Sequence, residues 1–208
     1  MPLDQAQQAQ TKPAARPAAM PSATAAGALT QKVEAAGNYA DQRAVVSPTG
    51  GPKAAPGDVV NGWVVYDTEA RKGGSLAWRN NNPGNIRNGS FADGQGAYAG
   101  KSSSGFAVFP TAQQGFDAIV ALLKTPTYSG KTIAKAISTY APSADSNDPV
   151  AYAKHIEQWT GLQADTVMST LSDEDLGKVA AAIKRQEGSI EGTTVPRSDA
   201  SLPAAIRQ

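Results

Sequence analysis

Helix start and stop signals follow one another through the second half of this chain and favour a mainly helical fold. Thr111, followed three residues later by Gln114, forms a capping box before AQQGFDAIVALLK, whose apolar residues fall on one face. Asp148 precedes a proline at the start of PVAYAKHIEQWT, and Gly161 closes that segment. The predicted helices cover about 112–124, Thr132 to Tyr140, 149–160 and 173–187.

The first half of the chain carries weaker signals. Residues 64–66 predict a short strand, residues 79–105 are crowded with Asn, Gly and Ser, and GFAVFP at 105–110 predicts an extended segment that ends at proline. We therefore expect a mainly α (α+β) fold with a small strand-and-turn region. Composition divides the chain into a flexible Ala/Pro/Gln-rich tail or linker at 1–56, a globular domain at 57–188 and a C-terminal tail at 189–208.

The scarcity of cysteine and histidine restricts the chemistry. The chain has no cysteine and one histidine, His155, so thiolate nucleophiles, cysteine-based zinc sites and sites built from several histidines are excluded. We expect no metal and no cofactor, and mechanisms that need only carboxylates, amides and hydroxyls remain. A net charge of +1 without a dense basic run argues against a nucleic-acid partner.

The sequence also bears on where the protein acts. No stretch approaches the roughly 18–20 apolar residues of a membrane span, and the N-terminus lacks the apolar run of a secretory signal peptide. We therefore expect synthesis in the cytoplasm without a signal peptide.

Glu187 is the acidic residue whose position is most unusual. Leu176, Val179, Ala180 and Ile183 define the inward stripe of the last helix, and four residues beyond Ile183 the same stripe reaches Glu187. The residue also lies in the last helical turn, where the helix dipole and desolvation both oppose ionisation. A glutamic acid kept protonated near neutral pH is what glycosidic cleavage requires of a general acid. The alternative is that Glu187 turns outward into solvent, as most acids at helix ends do.

The segment WRNNNPGNIRNG, residues 78–89, combines planar amides with turn-forming residues. Asparagine, proline and glycine make tight turns for conformational reasons alone. Together with aromatic residues such as Phe91 and Tyr98, however, these amides suit a polysaccharide, which presents hydroxyl and acetamido groups around apolar ring faces. Tyr98 is therefore a candidate for sugar binding.

Motifs at separate positions carry a family resemblance. WRNNNPGNIR, GFAVFPTAQQGFDAIVALL, YAPSADSNDPVAYAKHI and AAAIKRQEG, in that order, resemble lysozyme-like muramidases and lytic transglycosylases of phages and of antagonistic secretion-system effectors. The match covers about residues 73–188. In most such enzymes the helix that ends in the catalytic glutamate comes first, whereas AAAIKRQEG comes last here, so the arrangement resembles a circular permutation.

The resemblance implies roles for individual residues. It implies a lysozyme-like fold in which Glu187 is the catalytic acid, with Glu69 as the alternative because Glu69 precedes the asparagine segment, as the family order requires. Tyr140 in YAP resembles a cleft tyrosine of related transglycosylases. Asn82 and Asn85 resemble amides that line the glycan groove.

The expected function is that of a peptidoglycan-degrading muramidase that cleaves the β-1,4 bond between N-acetylmuramic acid and N-acetylglucosamine. Asp93 in FADGQG is the candidate second carboxylate of a hydrolase, although an aspartate before glycine is equally typical of a turn. A lytic transglycosylase would need only one glutamate, and both routes stay open. The alternative class is a non-catalytic peptidoglycan-binding or structural module of a virion or secretion apparatus.

Delivery and partners follow from the expected function. A wall-cutting enzyme without an export signal has to be injected, released on lysis or carried on a particle, and it then acts in the periplasm or cell wall of a target bacterium. The expected partners are the peptidoglycan glycan strand, a secretion or virion carrier held through the N-terminal tail, and, for an antibacterial effector, an immunity protein.

Overall fold

The structure, a computed structural model, describes residues 52–208 of the chain. The predicted tail at 1–56 therefore lies outside the described residues up to position 51. The described part is mainly α-helical with a small β-sheet, which confirms the predicted α+β class. No helix in this part of the chain is long and apolar enough to cross a membrane.

The four predicted helices are confirmed to within a residue at each end, and three shorter helices were not predicted. In chain order the helices are α1 (Leu76–Arg79), α2 (Ser90–Gly94), α3 (Ala112–Leu123), α4 (Pro126–Ser129), α5 (Ile133–Tyr140), α6 (Pro149–Thr160) and α7 (Asp173–Glu187). Thr111 accepts a hydrogen bond from the backbone N–H of Gln114 at the start of α3. Asp148 and Ser172 cap α6 and α7 in the same way. These capping side chains satisfy N–H groups that have no partner within the helix.

The strands form a four-stranded antiparallel sheet and a separate two-stranded hairpin. They are β1 (Val59–Val60), β2 (Trp63–Val65), β3 (Glu69–Lys72), β4 (Ser102–Ser103), β5 (Phe106–Ala107) and β6 (Thr193–Pro196). The main sheet has the order β1-β2-β3-β6, and β4 pairs with β5 in a separate hairpin. The predicted strand at 64–66 corresponds to β2, shifted by one residue. The predicted extended segment at 105–110 contains the shorter β5.

The prediction of a C-terminal tail at 189–208 is wrong. Strand β6 pairs with β3, with Ala70 opposite Val195, and the side chains of Leu202 and Ile206 are buried against the sheet. Arg197 is also buried, and its guanidinium donates to backbone carbonyls, including that of Ile206 at 2.9 Å. The segment has no local periodicity because tertiary contacts, rather than helix or strand propensity, order it.

The domain also begins earlier than the predicted boundary at residue 57. The backbone N–H of Ala54 donates to the carbonyl of Ala205 at 2.7 Å, and Lys53 Nζ donates to the carbonyls of Ala204 and Arg207. The first described residues and the end of the chain are therefore hydrogen-bonded neighbours.

The main core lies between α3, α5, α6 and α7. The inward stripe predicted for α7 is confirmed, since Leu176, Val179, Ala180 and Ile183 are all buried. Ile119 of α3 and Ile156 of α6 pack into the same cluster. Complete burial of each such aliphatic side chain contributes about 1.5–3 kcal/mol, so this core holds the C-terminal half of α7 firmly in place.

Candidate active site

The asparagine-rich segment forms a compact turn, and some of its side chains stabilise the turn itself. Asn81 and Asn85 have φ of 50° and 46°, in the left-handed region that asparagine tolerates better than most residues. Asn82 is completely buried: its Nδ2 donates to the carbonyls of Ile86 and Ala107 at 2.8 and 3.0 Å, and its Oδ1 accepts from the Ile86 N–H at 2.9 Å. The prediction that Asn82 lines a glycan groove is therefore wrong, because its amide is already bonded and has no exposed surface.

Two glycines allow this turn to pack closely against the helices. A Cβ at Gly115 of α3 would collide with the backbone carbonyl of Asn81. A Cβ at Gly84 would come within 2.7 Å of both Ile119 Cγ1 and the hydroxyl of Tyr140. Glycine at both positions thus lets the turn approach α3 and α5 and sets the position of Asn85.

Glu187 lies beside this turn, at the end of α7. Asn85 Nδ2 donates to Glu187 Oε2 at 2.9 Å, and the hydroxyl of Tyr152 donates to Oε1 at 3.1 Å. Both oxygens of the carboxylate are therefore held by neutral donors, one from the turn and one from α6. The alternative of an outward-turning carboxylate is excluded by these contacts.

Burial raises the pKa of Glu187 above its ordinary value, and the hydrogen bonds from Asn85 and Tyr152 lower it in part. Its position in the last turn of α7 adds the unfavourable field of the helix C-terminus. The side chain thus combines a pKa shifted toward neutrality with fixed geometry. Such a group is able to transfer a proton to a bound molecule.

Two tyrosines stand next to the acid. Tyr140, at the end of α5, donates through its hydroxyl to the carbonyl of Gly84, and its ring lies edge-on to Tyr128. Burial and the negative charge of Glu187 raise the pKa of both Tyr140 and Tyr152 well above the ordinary range. Both phenols therefore remain neutral. The structure brings the predicted residue Tyr140 to the site, although its hydroxyl is bonded to the turn.

The sequence analysis did not select Tyr152 as a site residue. The side chain is buried and packs in the main cluster, but its hydroxyl reaches Glu187. A signal was present in the sequence: Tyr152 begins the apolar stripe of α6, and a polar atom on a buried stripe needs a partner.

The alternative acid, Glu69, is engaged elsewhere. Its Oε1 accepts from Arg71 Nε at 2.7 Å. The Arg71 guanidinium also donates to Asn81 Oδ1 at 2.8 Å and lies against the rings of Tyr66 and Trp78. Glu69 is thus part of an ion-paired cluster on the sheet, and in the described part of the chain it has no contact with Glu187.

The structure gives Asp93 and Tyr98 local roles. Asp93 Oδ1 accepts from the backbone N–H of Gly100 at 3.4 Å, as expected of a turn aspartate. Tyr98 packs with Tyr66, their ring centroids 6.3 Å apart, and burial raises its pKa. Within residues 52–208 neither contacts Glu187 or Asn85. The structure therefore brings together Glu187, Asn85 and Tyr140 from the predicted set, and it adds Tyr152.

Comparison with known proteins gives no family assignment. No protein-family model matches the chain, and no curated protein matches it either. Among residues 52–208 no group of three or more Asp, Glu or His side chains is arranged to hold a metal ion. The functional conclusion therefore depends on the geometry around Glu187.

Proposed function

We propose that the protein is a peptidoglycan-degrading glycosidase, a muramidase that cleaves the β-1,4 bond between N-acetylmuramic acid and N-acetylglucosamine, with Glu187 as its general acid. The observation that carries the proposal is the environment of Glu187. Its carboxylate is desolvated at a helix C-terminus and held by Asn85 and Tyr152. The resemblance of the surrounding motifs to lysozyme-like enzymes supplies the substrate class.

Glu187 meets the chemical need of the first step. A sugar alkoxide leaves poorly, so the glycosidic oxygen has to receive a proton as its bond to the anomeric carbon breaks. Burial favours the protonated form of Glu187, while the hydrogen bonds from Tyr152 and Asn85 limit the rise of its pKa. The acid is therefore protonated in a larger fraction of molecules than a solvated glutamate, yet it still gives up its proton.

After bond cleavage the Glu187 carboxylate accepts a proton from the nucleophile. Water as nucleophile gives a reducing end, whereas the 6-hydroxyl of the muramyl residue gives a 1,6-anhydro end. In the structure, Asn85 donates to the carboxylate, and its buried Oδ1 has no hydrogen-bond partner within residues 52–208. Reversal of this amide would turn an acceptor toward the protonated acid, so Asn85 suits both states of Glu187.

Digestion of purified peptidoglycan tests the proposal. The wild type is expected to release muropeptides that mass spectrometry identifies, and Glu187→Gln is expected to lower the rate by a factor of roughly 10²–10⁴, the usual contribution of a general acid. Glu191→Gln is the matched control, because Glu191 is exposed four residues further along the chain. Reducing ends would assign a hydrolase and anhydro ends a lytic transglycosylase.

Two results would reject parts of the proposal. Full activity of Glu187→Gln would remove Glu187 from the acid role. Wild-type protein that sediments with sacculi but releases no product would instead establish the alternative class, a non-catalytic binding module of a virion or secretion apparatus.

We propose further that the protein acts in the periplasm or cell wall of a target bacterium after delivery by a carrier, and that an effector of this kind requires an immunity protein in its producer. Expression in bacteria with and without an added export signal tests the site of action. Lysis is expected only for the exported wild type, and exported Glu187→Gln is the control. Lysis by the protein retained in the cytoplasm would contradict the proposal.

A further inference from the structure

An ion pair joins the two chain segments that supply the neighbours of Glu187. Arg87 Nη2 lies 3.5 Å from Asp145 Oδ2, and the two side chains are 72% and 52% exposed. Charge-assisted hydrogen bonds of this type usually measure about 2.7–2.9 Å, so the contact is long. Exposed pairs of this kind are weak and screened by salt, so the Arg87 guanidinium is available to another anion.

The position of Arg87 connects it to the acid site. It lies two residues beyond Asn85, and two residues of chain span at most about 7 Å. Asp145 belongs to the 3₁₀ turn Ser143–Asp145, between the helix that ends at Tyr140 and the helix that carries Tyr152. The pair therefore bridges the asparagine turn and the α5–α6 connection.

The chemistry of Arg87 points to a carboxylate as its ligand. A guanidinium presents a planar fork of N–H donors that matches a carboxylate, and only one nitrogen of Arg87 is within reach of Asp145. The guanidinium carbon lies 5.6 Å from the centre of the Phe106 ring, a contact that orients the fork without using its donors. Asp145 thus shows that the Arg87 guanidinium binds a carboxylate at this position.

We propose that Arg87 is a subsite for a carboxylate of the muramyl substituent, and that Asp145 occupies this subsite in the free protein. The inference rests on the proposed function. In peptidoglycan the carboxylate has two sources: the peptide stem of an intact strand, or the lactyl group once an amidase has removed the stem. A bound glycan strand displaces Asp145 from Arg87 and so breaks the ion pair between the asparagine turn and the α5–α6 connection.

Binding measured in the Glu187→Gln background tests the inference, because the glycan then stays intact. The probes are peptide-bearing glycan strands, amidase-stripped strands and an N-acetylglucosamine oligomer, which has no carboxylate. Arg87→Gln is expected to weaken binding of a carboxylate-bearing strand about tenfold, as for loss of a charge-assisted contact. Asp145→Asn is expected to strengthen it about two- to threefold, because the competing anion is gone.

The pattern of effects separates a ligand site from a structural link. Lys135→Gln, which removes an exposed positive charge from α5, is the control for net charge and is expected to leave binding unchanged. A loss confined to peptide-bearing strands assigns the stem as the source, and a loss confined to stripped strands assigns the lactyl group. Equal weakening by Arg87→Gln and Asp145→Asn, or the same loss on the uncharged oligomer, would overturn the inference.

Failure of the proposed function has a different signature. The wild type would then release no product from peptidoglycan, whichever of the three glycans the Glu187→Gln protein binds. Unchanged binding of all three glycans by Arg87→Gln, beside an active wild type, would reject the carboxylate subsite alone.

Discussion

Removal of the Tyr152 hydroxyl directly tests how the protein controls the acid. The hydroxyl donates to Glu187 Oε1 at 3.1 Å, and Tyr152 is only 4% exposed. Substitution by phenylalanine keeps the ring and its packing, so the main loss is one donor to the carboxylate. The charged form of Glu187 loses more than the neutral form, and the pKa of Glu187 must therefore rise further above its ordinary value.

The size of the effect follows from hydrogen-bond energetics. A hydrogen bond to a charged group contributes about 1.5–3 kcal/mol, and one pKa unit corresponds to about 1.4 kcal/mol. Tyr152→Phe is therefore expected to raise the pKa of Glu187 by about 1–2 units relative to the wild type. In the proposed reaction Glu187 acts while it is protonated, so the alkaline limb of the kcat/KM profile should move to higher pH by the same amount.

Carbon-13 NMR titration of the glutamate carboxyls measures this pKa without any need for activity. The Glu187 signal is assigned by its absence from Glu187→Gln, and the pH profile of peptidoglycan digestion gives the second readout. Tyr98→Phe is the matched control, because Tyr98 packs against Tyr66 on the sheet side and has no contact with Glu187 in the described structure. The control is expected to leave the Glu187 titration unchanged.

Three results would refute the reasoning. An unchanged Glu187 titration in Tyr152→Phe would show that the hydroxyl does not favour the carboxylate in solution. A downward shift would reverse the predicted sign. An equal shift in Tyr98→Phe would indicate a general effect of losing a tyrosine hydroxyl rather than the contact seen here.

Two predictions concern stability and are checked by denaturant unfolding monitored through tryptophan fluorescence. Asn82→Ala removes a buried amide with three hydrogen bonds and leaves the Ile86 N–H without its acceptor, so the free energy of unfolding should fall by about 3 kcal/mol; a loss below about 1 kcal/mol would contradict the structural role. Ile206→Ala creates a cavity beneath the sheet and should cost about 2–5 kcal/mol, whereas a true C-terminal tail would lose almost nothing. Ala204→Ser, at an exposed neighbouring position, is the control for the second experiment.

The sequence predicts best what is encoded locally. Thr111, Asp148 and Ser172 mark helix starts because a capping side chain and the N–H groups that it satisfies lie within three residues of each other. The segment at 189–208 was missed because the partners of Val195 and Ile206 lie more than a hundred positions earlier in the chain. No local pattern identifies such a pairing.

In the site, too, some residues are identified by local patterns and others only by tertiary contacts. Glu187 was located because helical periodicity extends the buried stripe beyond Ile183, a local argument. Asn82 and Asn85 are the same residue type on either side of a Pro-Gly pair, and periodicity cannot distinguish them. Packing against β5 turns the Asn82 amide inward, while the left-handed backbone at Asn85 presents its amide to the acid. Only the tertiary arrangement decides which of the two serves the site.

The contacts that follow α7 explain how Glu187, late in the chain, comes to lie beside the asparagine turn. Glu187 follows Asn85 by 102 positions, yet their side chains are in contact, so the end of α7 needs an anchor on the turn region. Ser75 provides one: its Oγ accepts from the N–H of Ile190 at 3.0 Å and also from that of Trp78 in α1, the short helix leading into the asparagine turn. The chain then pairs β6 with β3. Because these contacts begin three residues after Glu187, the C-terminal segment holds the acid against Asn85 and belongs to the site as much as to the sheet.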